Sequence, residues 1–447
     1  MDPKRDLGNA PISGLLFRFA IPSIVALMVH AGYNIIDRIF IGQMVGPDGL
    51  AAAAACFPAM MAQFAFTLLI AVGEAAIVSI KLGQGDTDGA RKVFANAVWM
   101  SALLSILMPF AGLFLLDPIL HLSGAGPATL PLARQYLSTI LVGTLPLTGS
   151  FILHYHVRAA GHPRAAMILI IIGSGMNAIL DPIFIGPLGM GVQGAAIATV
   201  ISETLSMIAG IVWLATHRST PSLSRGLMGP DLKLWGSIGF LGLAPFAAQI
   251  IGSVQFSILN YQVARFGGEI AVGITGVTFA LSSVVSLPVF GIADGMQPIV
   301  GYNFGARKLD RVRQAVRLSL LWATVAAFIG TIVVELFPGP AVSMFSTDAE
   351  FTEMTVRAVR IVFMTAPLFG MQAIGARYFQ AVGKGGLSLF LSLSRQLIFF
   401  TPGLLLLPEF FGLDGVWWTA PLADTTSTAM TMGLLVWSMK KTMKEAA

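Results

Sequence analysis

The chain has 447 residues, 55% of them hydrophobic and only 11% Asp, Glu, Lys or Arg, against about 25% charged in a typical soluble protein. That excludes a soluble enzyme, and the single cysteine, Cys56, excludes internal disulfides and cysteine-based metal or redox sites. The net charge of +5 is scattered over short connections, so it reads as membrane topology and not as a nucleic-acid surface.

Apolar tracts long enough to cross a hydrocarbon core of roughly 30 Å recur along the whole chain. A polar leader, Met1 to Gly14, precedes a first span near 15–44 that has neither the shortness nor the small-residue cleavage site of a removable signal, so this span is expected to stay. It carries Pro22, whose missing backbone donor allows a bend, and His30, Asn34 and Asp37 toward its outer half. Spans near 50–80 and 93–116 follow, with Glu74 close to an inner end. A span near 131–156 ends in His154 and His156, two apart and therefore on different faces, which does not suit a metal pair. The span near 165–187 holds Asn177 and Asp181, and that near 191–216 holds Thr199 and Glu203. Each pair is four residues apart and shares a helical face. A segment rich in Ser, Pro, Gly and basic residues, 217–235, reads as a linker. Beyond it come spans near 236–266, 270–301, 314–337, 354–380, 386–409 and 414–439, carrying Pro245, Gln255, Asn260, Asp294, Glu335 and Asp424 among their polar residues.

Twelve spans place both termini on one side. With that side taken as cytoplasmic, Lys4, Arg5, Lys81, Arg91, Lys92, Arg158, Arg164, Arg218, Arg225, Lys233, Arg307, Lys308, Arg311, Arg313, Lys384, Lys440, Lys441 and Lys444 all fall inside. The opposite connections carry almost no lysine or arginine, which is the positive-inside pattern. A multi-pass protein of a prokaryotic cytoplasmic (inner) membrane is expected, surrounded by membrane lipids and acting as a monomer.

The two halves repeat. Gly73 to Gly83 matches Gly295 to Gly305, and Arg158 to Gly161 matches Gln380 to Gly383, both at a shift of 222; Gly191 to Gly194 matches Gly412 to Gly415 at 221, and Pro22 matches Pro245 at 223. Four matches at one shift imply duplication of a six-helix unit. Six being even, the halves enter from the same side and a pseudo-two-fold axis along the membrane normal is expected. The fold class is therefore an all-α integral membrane protein of two lobes, 1–216 and 236–447, joined by the linker. Two lobes suit alternating access, which favours a transporter over an enzyme or a channel.

Acidic groups at membrane depth are costly and read as functional by default. Counting about 1.5 Å per residue, Asp37, Asp181 and Thr199 lie at a common depth of roughly 9 to 12 Å below the outer surface, with Asn177 on the face of Asp181. Two carboxylates sharing one apolar pocket do not both stay charged, so the set points to a bound proton or to Na+ held at Asp37 and Asp181. At the repeat shift these positions face Leu259 or Asn260, Pro402 or Gly403, Ala420 or Pro421, and Phe399. The second half lacks the set, which a purely structural role would not explain. Glu203 and Asp424 match at a shift of 221 and are candidates for a cleft that attracts cationic ligands, and His30 is a candidate relay. Glu74, Asp294 and Glu335 lie near span ends and read as structural, with basic loops as the expected neutralising groups.

The stretches Asn34 to Gly42, Asn177 to Gly186, Gly191 to Thr199 and Pro298 to Ala306 resemble the multidrug and toxic compound extrusion (MATE) family, in its DinF-like prokaryotic branch, over essentially the whole chain. The resemblance implies twelve helices in two lobes and an antiporter that exports organic, often cationic amphiphilic, small molecules against protons or sodium ions, with no further cofactor. It implies a first-lobe cation site of Asp37, Asn177, Asp181 and Thr199, with Tyr136 as an accessory alongside Glu203, Asn34 and His30. Substrate-cleft candidates are Glu203, Asp424, Gln255 and Asn260, and Pro22 is the candidate bending point. The acids that the NorM-like branch carries in its second lobe are replaced here by Gln249, Gln255, Asn260 and Gln262, so no second-lobe ion site is expected. Export of an endogenous metabolite, or flipping of a lipid-linked substrate, are the alternatives within the same superfamily. An intramembrane prenyltransferase would need paired Asp-rich motifs that the chain does not have.

Overall fold

In lipid, long apolar tracts satisfy their backbone donors and acceptors by coiling into helices. The computed structural model, which describes residues 3–217, 220–222, 229–336 and 349–444, is helix apart from short connections, with no strand among the described residues. The spans are α1 (Ile12–Met44), α2 (Pro47–Gly83), α3 (Thr87–Phe114), α4 (Leu130–Val142 continued by Thr144–Ala159), α5 (Pro163–Ile185), α6 (Gly191–Thr216), α7 (Leu232–Gly268), α8 (Ile270–Gly305), α9 (Leu309–Leu336) and α10 (Ala349–Phe363 continued by Ala366–Ala381). The last apolar run, Gly385–Lys441, breaks at Gly412 (φ 59°) into α11 and α12. The twelve expected spans are all present, but helices run past the apolar tracts where a polar cap starts them. Thus α3 begins at Thr87 because the Asp86 carboxylate accepts the Gly89 N–H at 2.7 Å. Helix α7 begins at Leu232 because Asp231 accepts the Lys233 N–H at 2.9 Å, inside the segment expected to be linker. Of that segment, residues 218–219 and 223–228 lie outside the described residues.

Duplication is written into the backbone as well as the sequence. Left-handed residues recur at the repeat shift: Gly46 and Gly268, Gly85 and Arg307, and Gly161 and Gly383 stand 222 apart, and Gly191 and Gly412 stand 221 apart. The two bent spans correspond too, α4 turning by 52° after Val142 and α10 by 43° after Phe363. A β-substituted residue pays strain at such φ values, so glycine holds all of these positions except that of Arg307.

The described chain forms two compact units. One comprises the residues up to Asn9 together with Val25–Gln249, and the other Ala10–Ile24 together with the residues from Ile250 onward. Each unit therefore includes the first half of a span from the other sequence half. In the first unit, the opening half of α7 packs on α2 so closely that a Cβ on Gly73 would strike the Ile238 carbonyl, and one on Gly242 would strike that of Leu69. In the second unit, the opening half of α1 packs on α8 in the same way, with Gly295 against the backbone of Ala20 and Gly291 against that of Ile24. Gly73 and Gly295 are the glycines that open the strongest sequence repeat, so the motif encodes backbone-to-backbone helix packing.

A buried cluster in the first unit joins α1, α2, α4 and α6 through Ile41, Cys56, Leu137 and Val192. Conversely Ile106, Phe110 and Phe114, spaced by four on α3, are 68%, 77% and 81% exposed, a stripe that only hydrocarbon solvates favourably.

Candidate functional site

Helices α1, α4, α5 and α6 of the first unit bring together the residues expected to form the cation site. Asp181 and Asn177 are buried on one face of α5, and the Asn177 Nδ2 donates to Asp181 Oδ1 at 3.0 Å and to Thr199 Oγ1 on α6 at 3.2 Å. The Thr199 hydroxyl donates in turn to the Ala195 carbonyl at 3.1 Å, which leaves its oxygen facing the amide as an acceptor. Asp37, buried on α1, places its carboxyl within hydrogen-bonding reach of that of Asp181. Pro182 follows immediately inside α5 and has no N–H for the carbonyl one turn back.

Asp37 Oδ1, Asp181 Oδ2 and Asn177 Oδ1 are buried without a hydrogen-bond partner among the described residues. Neither aspartate has an ion-pair partner there; Arg38 instead stacks over the Phe57 ring at 5.5 Å. Three orphaned acceptor oxygens from two helices, with a threonine hydroxyl beside them, form a donor set for a proton or a hard cation. Two carboxyls in contact need a proton between them, because an ionised carboxylate only accepts.

Of the accessory candidates, Tyr136 is buried on α4 within electrostatic range of Asp37 and Asp181. Glu203 is buried one turn below Thr199 on α6 and accepts from the Ser150 hydroxyl. Asn34 is exposed and donates to its own helix at the His30 carbonyl, 2.8 Å away. The His30 ring packs edge-on against Tyr33 (4.9 Å between centroids) and Phe151 (5.4 Å). Pro22 is buried inside an unbroken α1. Tyr33 went unnoticed in the sequence, although it lies four residues before Asp37 and hence on its face. It is within electrostatic range of Glu203, Asp37 and Asp181. Ser150, His154 and Ser206 were missed as well; His154 Nε2 and Ser206 Oγ are 2.9 Å apart, and the hydroxyl donates to the Leu169 carbonyl.

The substrate-cleft candidates separate. Gln255 and Asp424 line one cavity of the second unit, whereas Glu203 and Asn260 do not line it. Asp424 is ion-paired with Arg395 at 2.8 Å, so it is not a bare acid awaiting a cation. The structural acids are paired too, but the expected neutralisation by basic loops needs correction. Glu74 meets His156 in the last turn of α4, 2.6 Å from Nδ1 with both side chains fully buried, so the neutralising group is a helix imidazole and not a loop lysine or arginine. Asp294 pairs with Arg377 of α10 at 2.5 Å, and Glu335 with Arg360 of the same helix at 3.8 Å. His154 and His156 do point to different partners, and no cluster of three His, Cys, Asp or Glu side chains occurs among the described residues.

The chain is similar to known proteins over nearly its whole length. The multidrug export protein MepA of Staphylococcus aureus (strain MSSA476) is 25% identical over 433 residues, spanning 97% of this chain and 95% of its own. MepA of Staphylococcus haemolyticus is also 25% identical, covering 95% and 93%. A crystal structure of a MATE protein in complex with MaL6 superposes with a TM-score of 0.94 at 24% identity, over 99% of this chain and all of that one. An outward-facing multidrug resistance MATE transporter of the MOP superfamily gives 0.91 at 24% identity, over 99% and 97%. A MOP superfamily transporter from Pyrococcus furiosus gives 0.93 at 23%, over 99% of each chain. The fold is thus that of twelve-helix MATE transporters, and since the MatE family pattern matches residues 22–183 and 246–403, the chain belongs to the MatE family of multidrug efflux transporters.

Proposed function

We propose that this protein is a proton-coupled antiporter that exports organic amphiphiles, cations included, across a prokaryotic cytoplasmic membrane with both termini inside. The observation that carries the reading is the Asp37–Asp181 carboxyl contact, set beside Asn177 and Thr199 and surrounded by orphaned acceptor oxygens. Two neighbouring buried carboxyls with no basic partner among the described residues are relieved by sharing one proton, which favours the proton over a sodium ion. Loss of that proton would leave two charges facing each other in a low-dielectric pocket, a repulsion that the site relieves by rearranging. Helix α1 carries Asp37 and is the element to transmit that change, bending at Pro22, where a backbone hydrogen bond is already missing. Similarity to the MepA exporters supports the multidrug substrate class, and the basic connections support the orientation.

The test is efflux of ethidium from proteoliposomes under separately imposed proton and sodium gradients. Wild-type protein is expected to follow the proton gradient, and Asp181→Asn and Asp37→Asn to lose at least nine-tenths of the coupled rate. Efflux that follows sodium alone would overturn the choice of ion. Normal coupled efflux by the Asp37→Asn/Asp181→Asn double variant would overturn the site.

A further inference from the structure

The second unit contains a cavity of about 470 Å³, inside the range of sites that enclose a drug-sized molecule. Its walls are aromatic, with Phe256, Phe279, Phe290 and Trp417 among them, and Arg395 and Asp424 are its charged side chains. Helix α11 delivers the arginine by an irregular route. Residues Ser394–Phe400 form a π-helical turn, a local widening frequently found at functional sites. In a regular α-helix, positions five apart point about 140° from one another, yet Arg395 and Phe400 both line the cavity, because the wider turn brings positions five apart back toward one face.

The widened turn is pinned from α7. The Gln255 amide donates to the Gln396 carbonyl at 2.6 Å and to Thr401 Oγ1 at 2.8 Å, and the Thr401 hydroxyl donates to the same carbonyl at 2.9 Å. Gln255 is thereby a positioning residue for Arg395. The arginine engages Asp424 through Nε, at 2.8 Å, and its guanidinium lies over the Phe369 ring at 5.2 Å. Its side chain is 24% exposed against 7% for Asp424, and both residues line the cavity. Hydroxyls elsewhere on the wall are turned inward as donors, with Thr275 and Thr278 each bonded at 2.9 Å to carbonyls of their own helix.

We infer that this cavity is a binding site for a flat aromatic compound bearing one carboxylate, the carboxylate seated on the terminal nitrogens of Arg395 and the rings stacked among the phenylalanines. Asp424 takes the Nε edge of the fork, and in the inferred complex the two Nη groups serve as the paired donors, the geometry that bidentate carboxylate recognition uses. Asp424 is the positioning partner that orients the guanidinium, which reverses the expectation that this acid draws cations. The site contains none of the residues of the proton site and requires no ion gradient to fill.

Binding of tritiated 2-naphthoate to the full-length protein in lipid nanodiscs tests the inference, with 2-naphthylmethylammonium as the competitor of the same ring and opposite charge. Saturable binding that unlabelled naphthoate displaces and the ammonium compound does not is expected for wild type. Arg395→Gln should weaken it at least tenfold, and Arg395→Lys, which keeps the charge but not the fork, should weaken it severalfold and decides the matter if the glutamine variant does not fold. Asp424→Asn should hold or tighten naphthoate binding. Absence of saturable binding, indifference to Arg395, or preferential binding of the ammonium compound lost in Asp424→Asn would overturn the assignment. Ethidium efflux measured alongside separates the two readings: efflux without naphthoate binding refutes this site alone, and binding without efflux refutes the proposed export reading alone.

Discussion

Replacing His156 by alanine attacks the most deeply buried ion pair of the first unit. Its Nε2 faces the Pro221 carbonyl at 2.7 Å and its Nδ1 the Glu74 carboxyl at 2.6 Å, while the ring stacks on Phe94 with 3.9 Å between centroids. One mobile proton serves the pair whichever group holds it. Removal of the imidazole strands a buried carboxyl and a buried carbonyl together, a loss of about 3 to 5 kcal/mol. At roughly 2 to 4 °C per kcal/mol for a unit of this size, the thermal midpoint should fall by about 6 to 20 °C. Glu74→Gln keeps an acceptor at the same place and should lose only about 1 to 2 kcal/mol. The double variant Glu74→Leu/His156→Phe, which replaces the pair by apolar bulk beside Phe94, should recover most of the loss. The assay is thermal unfolding of the purified protein in detergent, followed by size-exclusion and by tryptophan fluorescence. A fall of under 2 °C for His156→Ala, or a double variant less stable than either single, would refute the reasoning.

Tyr33→Phe removes a hydroxyl within electrostatic range of Asp37, Asp181 and Glu203; it should slow coupled ethidium efflux severalfold while leaving the thermal midpoint within 2 °C, and an unchanged rate would exclude Tyr33 from the site. Gly73→Val and Gly295→Val each drive a side chain into neighbouring backbone and should lower stability by about 1 to 3 kcal/mol or more, visible as matched losses in thermal unfolding. Asp86→Ala removes the cap of α3 and should lower stability by about 1 kcal/mol. The Lys81 ammonium, 2.8 Å away, with the Gly89 N–H holds the Asp86 carboxyl below the usual aspartate range. Its contribution is therefore present above an unfolded value of about 3.9 and fades as pH falls through the lower folded value. Midpoints measured at pH 3 and pH 6 should show the Asp86→Ala deficit shrinking at the acid end, with a deficit unchanged by pH as the refuting result.

Span count, repeat and first-unit site were legible because each rests on local rules. Hydrocarbon forces helices of readable length, a shift of 222 survives as glycines with positive φ, and a spacing of four puts Asn177 beside Asp181 whatever the tertiary structure. Partners chosen by packing were not legible. Nothing within four residues of Glu74 announces His156, 82 positions away, and nothing near Asp424 announces Arg395. Nor does the pattern of apolar residues distinguish a π-helical turn at Ser394–Phe400 from an ordinary one, since the turn is held by Gln255, 141 positions earlier. Tyr33 is the intermediate case, reachable from its spacing to Asp37 once phenols are counted among the polar groups of a span.

Duplication explains why the two units differ in chemistry while sharing geometry. The backbone devices, including the left-handed glycines, the bends of α4 and α10 and the close packing at Gly73 and Gly295, are matched because each unit needs them to fold. Polar side chains at membrane depth are costly to keep, so a copy loses them unless they serve the packing, as Glu74 with His156 does, or a function. The first unit keeps Asp37 and Asp181 without an ion-pair partner among the described residues. The second has Pro402 or Gly403 where Asp181 would fall, and instead carries Arg395 paired through Nε with Asp424. The proposed proton site and the inferred anion site would then be complementary products of one scaffold, and the asymmetry of their polar residues is the feature by which each can be tested without the other.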